Sequence, residues 1–165
     1  MRSDKVKSEG GIKLDLLDVN IIRELQEDAR ISYRALARKL GVSVTTVSER
    51  VKRMKETGLI RSFTVIVNPE KAGNVYCTAL YIKTENGSDP KKVGEAVSKV
   101  KGICYTYHTL GMYNLIALGS APNKDDFSSM IRQINGLKGV KEVIPSVVLD
   151  TIKEDPKHII TLAEK

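Results

Sequence analysis

Tryptophan is absent from this 165-residue chain, phenylalanine occurs twice, and cysteine and histidine occur twice each. Two cysteines, Cys77 and Cys104, cannot build a disulfide framework, and their spacing matches no zinc motif. Both fall in stretches that read as strands, where buried free thiols are expected. The two histidines, His108 and His158, have no acid, cysteine or second histidine at ligand spacing along the chain, so neither is assigned a catalytic or metal-binding role. No apolar run reaches the length of a membrane-spanning helix. Met1 to Gly11 is polar and lacks the apolar stretch of a signal peptide, which gives the expectation of a cytoplasmic protein without a membrane partner.

What is plentiful is positive charge, and it is concentrated. Between Arg30 and Arg61 lie nine basic side chains against only Glu49 and Glu56, so this segment holds the whole net charge of +7. A cationic surface confined to one short segment points to a phosphate backbone as partner.

The same segment has helical periodicity. Ile21, Ile22 and Leu25 recur at helical spacing, with Asp18 as N-cap or first-turn acid. Ser32 caps a second helix with Leu36, Ala37 and Leu40 on one side, and Gly41 stops it. Ser43 caps a third, whose apolar stripe is Val44, Val47, Val51 and Met54, and Gly58 closes it. Ile60 to Val67 is rich in β-branched residues and reads as a strand ended by Asn68-Pro69.

Beyond a short hinge at 68–74 the pattern alternates. The strands expected are Val75–Thr84, Ile103–Leu110, Asn114–Gly119 and Val140–Leu149. One helix opens at Pro90 behind Asp89; a second buries Phe127, Met130, Ile131 and Ile134. That order is βαββαβ, a ferredoxin-like arrangement. Val100-Lys101-Gly102-Ile103 and Leu137-Lys138-Gly139-Val140 repeat faintly at one topological point, each glycine fitting a helix C-cap. The fold class is therefore α+β. A helix-turn-helix (winged-helix-like) unit at 1–67 precedes a ferredoxin-like domain at 75–153 and a tail at 154–165.

In the first half, Leu36, Ala37, Leu40, Gly41, Val42 and Val47 supply the small crossing residue, turn glycine and apolar lock of a helix-turn-helix. Any αα-hairpin with a glycine turn would share that core, but it would not require the outer face of the third helix. There Thr45, Thr46, Ser48, Glu49, Lys52 and Arg53 project, following Ser43 at the cap. Hydroxyls near a helix N-terminus suit base edges, and Lys52 and Arg53 suit phosphates. Ser32, Tyr33 and Arg34 open the second helix, whose amides suit a backbone phosphate. Arg50 sits at the edge of the core stripe, where an internal ion pair and a DNA contact are equally open.

The stretch from Leu14 to Gly73, including Leu14-Asp15, Asp18, Asp28-Ala29-Arg30, Arg50-Val51 and Gly58-Leu59-Ile60, resembles the Lrp/AsnC family of transcription regulators. The βαββαβ half resembles that family's ligand-binding and oligomerising domain, and the likeness runs to about Lys153. The resemblance implies pseudo-palindromic double-stranded DNA as partner, a homodimer that can extend to tetramers or octamers, and an amino-acid effector with no other cofactor. It also implies an effector site at the turn between the second and third strands, here Thr109, Leu110, Gly111, Met112, Tyr113 and Asn114. At this turn the family usually carries an aspartate where Asn114 stands, and an asparagine offers an ammonium group only a neutral hydrogen bond. A sheet covered by helices on one face also leaves the other to be hydrated or docked against a twin.

Two other readings use the same features. An effector-free architectural protein would carry the same basic helix. A haem-pathway decarboxylase of related fold would need histidines at its substrate, and the basic helix would serve no purpose in it.

Overall fold

The computed structural model describes residues 14–69, 71–73, 76–155 and 157. They form two compact units, one running to Val65 and joined by Asp155 and Lys157, the other from Ile66 to Glu154.

The first unit holds three helices: α1 (Leu16–Glu27), α2 (Tyr33–Leu40) and α3 (Val44–Glu56). Each begins where a short polar side chain can satisfy free amides. The Asp15 carboxylate accepts from the Asp18 amide at 2.9 Å while Asp18 Oδ2 accepts from the Asp15 amide at 3.2 Å, a reciprocal capping box. Asp18 is thus the first-turn acid and Asp15 the cap. Ser32 Oγ accepts from the Ala35 amide and Ser43 Oγ from the Thr46 amide. Gly41 ends α2 at φ +68°, which lets the Val42 amide reach the Ala37 carbonyl at 3.0 Å. The three apolar stripes meet in a core of Ile21, Ile22, Leu25, Leu36, Ala37, Val47, Val51 and Met54. Val44, expected in that stripe, is 45% exposed. It occupies the first helical position, ahead of the turn that packs against α1 and α2.

Arg61 to Val67 forms no strand among the described residues, contrary to the sequence expectation. Its residues are exposed, Val65 at 82%. Strand propensity there has no ladder to join within the described chain, and propensity without a partner does not make a strand. Residues 70, 74 and 75 of the expected hinge and strand start lie outside the described residues.

The second unit is β1 (Tyr76–Thr84), α4 (Pro90–Val97), β2 (Ile103–His108), β3 (Leu115–Ala121), α5 (Lys124–Asn135) and β4 (Val140–Val147). The sheet order is β2-β3-β1-β4, with every neighbouring pair antiparallel. Pro145 lies on the edge strand β4, where a missing N–H is tolerated. Leu80, Ile82, Leu115 and Ala117 face α4 and α5, packing on Val93, Val97, Met130 and Ile134.

A register shift between Ile103 and Tyr105 alters the alternation expected along β2. Ile103 packs on the helix-side core, while Tyr105 and Tyr107 emerge on the opposite face beside Leu118 and Ile116. Cys104, at the irregularity, is exposed rather than buried, and Cys77 is partly buried.

The repeated glycines have a different role from the C-caps expected. The helices end at Ser98 and Gly136, and Gly102 and Gly139 follow at φ +94° and +89°, turning the chain into β2 and β4. A Cβ on Gly102 would lie 2.7 Å from the Ser120 carbonyl oxygen, in a backbone that is hydrogen-bonded at that point. Gly87 has φ +85° but open space around it. Gly102→Ala should therefore cost about 2–4 kcal/mol in urea unfolding, strain plus clash, whereas Gly87→Ala should cost about 1 kcal/mol. Equal losses would mean that the close approach adds nothing.

Candidate nucleic-acid interface

Helix α3 turns one side to the core and the other to solvent. Val47, Val51 and Met54 are buried, so Thr45, Ser48, Glu49, Lys52 and Lys55 fall on the outer side, and all five are exposed. Lys52 reaches Glu56 only loosely, at 3.9 Å. Thr46 differs from its neighbours: its hydroxyl is 2.8 Å from Ser43 Oγ, so both are engaged in the cap. Lys55, not singled out from the sequence, continues the row of Ser48 and Lys52 at i+7 and i+3. The seven-residue spacing was the available signal.

On α2, Ser32 is occupied as cap, while Tyr33 and Arg34 stand exposed at the helix start. Lys39, farther along, is ion-paired with Glu24 of α1.

The inner edge of α3 carries the ion-pair network. The Asp18 side chain is 1% exposed and accepts from Arg50 Nη1 at 3.1 Å and Arg53 Nη2 at 2.5 Å. Arg50 also pairs with Asp15. The alternatives left open for Arg50 thus resolve toward an internal pair. Arg53, expected to meet phosphates, also supplies counter-charge to the buried carboxylate, with its side chain still 44% exposed. Both arginines tie α3 to the N-terminus of α1. Asp18 is therefore a positioning residue that the charge count alone did not reveal; its signal was the capping-box spacing Asp-x-x-Asp.

Held chiefly by the Asp18 amide and next by the Arg50 guanidinium, the Asp15 carboxyl lies below its usual value of 3.8. A depressed carboxyl stabilises the fold above its unfolded pKa, and that contribution is lost as pH falls through the lower folded value.

In the second unit the turn Thr109–Asn114 is largely occupied with itself. The Thr109 amide donates to the Asn114 carbonyl at 2.8 Å and Thr109 Oγ1 to the Tyr113 carbonyl at 2.8 Å. Asn114 Oδ1 accepts from the Thr84 amide at 3.0 Å, and its own amide donates to the Ile82 carbonyl. Asn114 thus stitches the hairpin to β1, a role its neutral carbonyl fills. Tyr113 packs on Tyr81, with Lys83 Nζ 5.5 Å from the ring centre. Gly111 sits at the exposed tip at φ +143°, between Leu110 and Met112, which project into solvent.

His108 is exposed and lines a cleft together with Glu95 and Lys91. His158 lies outside the described residues. Among the described residues no group of three His, Cys, Asp or Glu side chains could hold a metal ion, and no helix is long and apolar enough to cross a membrane.

Residues 14–61 match the winged helix-turn-helix DNA-binding family model and residues 79–158 the Lrp/AsnC ligand binding domain. An HTH-type transcriptional regulator of Pyrococcus abyssi, FL11, is 32% identical over 143 residues, covering 87% of this chain and 94% of that protein. The regulator LrpA of Pyrococcus horikoshii is 31% identical, covering 85% and 99%. Among solved structures, the leucine response regulatory protein of Mycobacterium tuberculosis shares the fold with a TM-score of 0.81 at 24% identity, covering 89% of this chain and all of that one.

Replacing Asp18 by alanine takes Arg53's acid away, leaves Arg50 with Asp15 alone and removes half the capping box, and should cost about 1–3 kcal/mol in chemical denaturation. For Asp15, which is half exposed, the effect is under about 1 kcal/mol. Asp15→Asn should flatten the wild type's loss of stability as pH falls below about 4. Parallel acid limbs in the two proteins would remove Asp15 from this account.

Proposed function

This chain belongs to the Lrp/AsnC family of HTH-type transcriptional regulators, and from that premise we propose how its residues divide the work. The chain is a DNA-binding transcription regulator. We assign the reading of DNA to the outer face of α3, with Thr45, Ser48 and Glu49 toward base edges and Lys52 and Lys55 toward phosphates. The observation that carries this is the exposed row itself, standing opposite a fully buried stripe on the same helix. Tyr33, Arg34 and the start of α2 contact the backbone. Arg50 and Arg53 hold α3 in place from behind.

We further propose that the open sheet face pairs two copies. Tyr105 and Tyr107 stack at 6.2 Å between ring centres and are 57% and 49% exposed, with Leu118 and Ile144 exposed across the same face. So much apolar surface on one side of a sheet is expensive to hydrate. A two-fold pair would set two α3 helices to read half-sites about 34 Å apart, or a multiple of that. The second unit would bind a small effector, an amino acid being the chemistry the family implies. The chain works as a regulator and not as a catalyst, in the cytoplasm where its DNA is.

Two measurements test this. Binding to a pseudo-palindromic duplex, followed by fluorescence anisotropy, should fall steeply with salt, and Lys52→Ala should reduce the log–log slope by about 1. Indifference to duplex DNA at low salt would end the regulator reading, and uniform protection of any sequence in footprinting would favour the architectural one. Tyr107→Glu should shift sedimentation toward the monomer by at least tenfold in dissociation constant, about 1.4 kcal/mol. An unchanged profile would move the pairing surface elsewhere.

A further inference from the structure

The outer row of α3 contains one residue that a phosphate backbone would repel. Two acids, Glu49 and Glu56, lie among the nine basic side chains between Arg30 and Arg61. Glu56, at the end of α3, is 3.9 Å from Lys52. Glu49 is exposed in the middle of the row, one turn beyond Thr45 and one turn before Lys52 and Arg53. Among the described residues no ion pair engages its carboxylate.

Helix chemistry alone would pair it. Glu49 precedes Arg53 by four residues, the favourable order for an ion pair along a helix. Arg53 instead donates to Asp18 Oδ2 at 2.5 Å, so the buried acid of α1 takes the cation that would have neutralised Glu49. Lys52, the other cation within reach along the helix, turns toward Glu56. The fold thus holds a bare carboxylate on a surface otherwise suited to phosphates. Beside DNA that charge weakens binding to every sequence alike. The loss is offset only where a base edge donates a hydrogen bond, and in the major groove the donors are the amino groups of cytosine and adenine. Adenine sets its N7 acceptor next to that amino group, which a carboxylate avoids; cytosine does not.

We infer that Glu49 sets sequence specificity: its carboxylate accepts a hydrogen bond from the N4 amino group of one cytosine in each half-site and rejects the other bases there. This rests on the assignment of the outer face of α3 to DNA, and gives the selective part of that face to its only acid. Hydroxyls both donate and accept, so Thr45 and Ser48 tolerate several bases. An ionised carboxylate accepts only, so it has nothing to offer guanine or thymine. Its repulsion from phosphates works in the same direction. A charge that penalises every wrong sequence widens the gap between target and background as effectively as a new attraction would.

The test is selection by the full chain from a duplex library randomised over about two helical turns. The wild type should recover sites with cytosine at one fixed position of each half-site. Exchanging that C·G pair for T·A should then weaken binding about tenfold in fluorescence anisotropy. Glu49→Ala should lose the preference at this position alone, keep the rest of the site, and bind unselected duplex more tightly than the wild type. Glu49→Gln should move the preference to adenine, which glutamine bonds through N6 and N7. Because the carboxylate has no ion-pair partner in the folded chain, both variants should keep the wild-type Tm; a clear fall would make the role of Glu49 structural and overturn the inference. Identical selected sites for the wild type and Glu49→Ala overturn it as well, as does the loss of a preference for any base but cytosine. A wild type that binds duplex DNA with no such cytosine defeats this inference and leaves the regulator reading standing, whereas failure to bind any duplex at low salt ends both.

Discussion

A single buried carboxylate organises the DNA-reading unit. Asp18, almost fully enclosed, accepts from guanidinium groups on two successive turns of α3 while its second task is to close the cap of α1. An uncompensated charge in that position would cost several kcal/mol, so the arginines are held there by the same energy that holds the helix. The consequence is geometric. Charges facing inward fix the rotation of α3 about its axis, and that rotation decides which side chains face outward. The positive charge of the segment is therefore of two kinds: Arg50 and Arg53 pair with a buried acid and build the fold, while Lys52 and Lys55 stand exposed on the other side of the helix.

Much of this was legible in the chain. Helix starts at Ser32, Ser43 and Asp89 and the stop at Gly41 follow from local chemistry that tertiary context does not override, and the structure has them where the residues put them. The alternation of strands and helices likewise led directly to the four-stranded sheet. The misreadings share one cause. Cys104 as a buried thiol and Ile60 to Val67 as a strand were each judged from one segment, whereas each outcome depends on a distant one. A bulge against β3 and the lack of a neighbouring ladder among the described residues are not written into the local pattern.

The candidate ligand region shows the same division. Resemblance drew attention to Thr109–Asn114, and the turn exists, but its hydrogen-bonding groups close upon one another and upon β1. The cleft next to it gathers residues from α4 and β2 that no spacing rule would join.

The segment from Arg61 to Val67 leaves apolar surface uncovered. Its aliphatic side chains are in water, and so are the tyrosines of the free sheet face, so a newly made subunit presents the kind of surface that proteases and chaperones recognise. By mass action, any partner that covers this surface also stabilises the folded chain, and does so more strongly as its concentration rises.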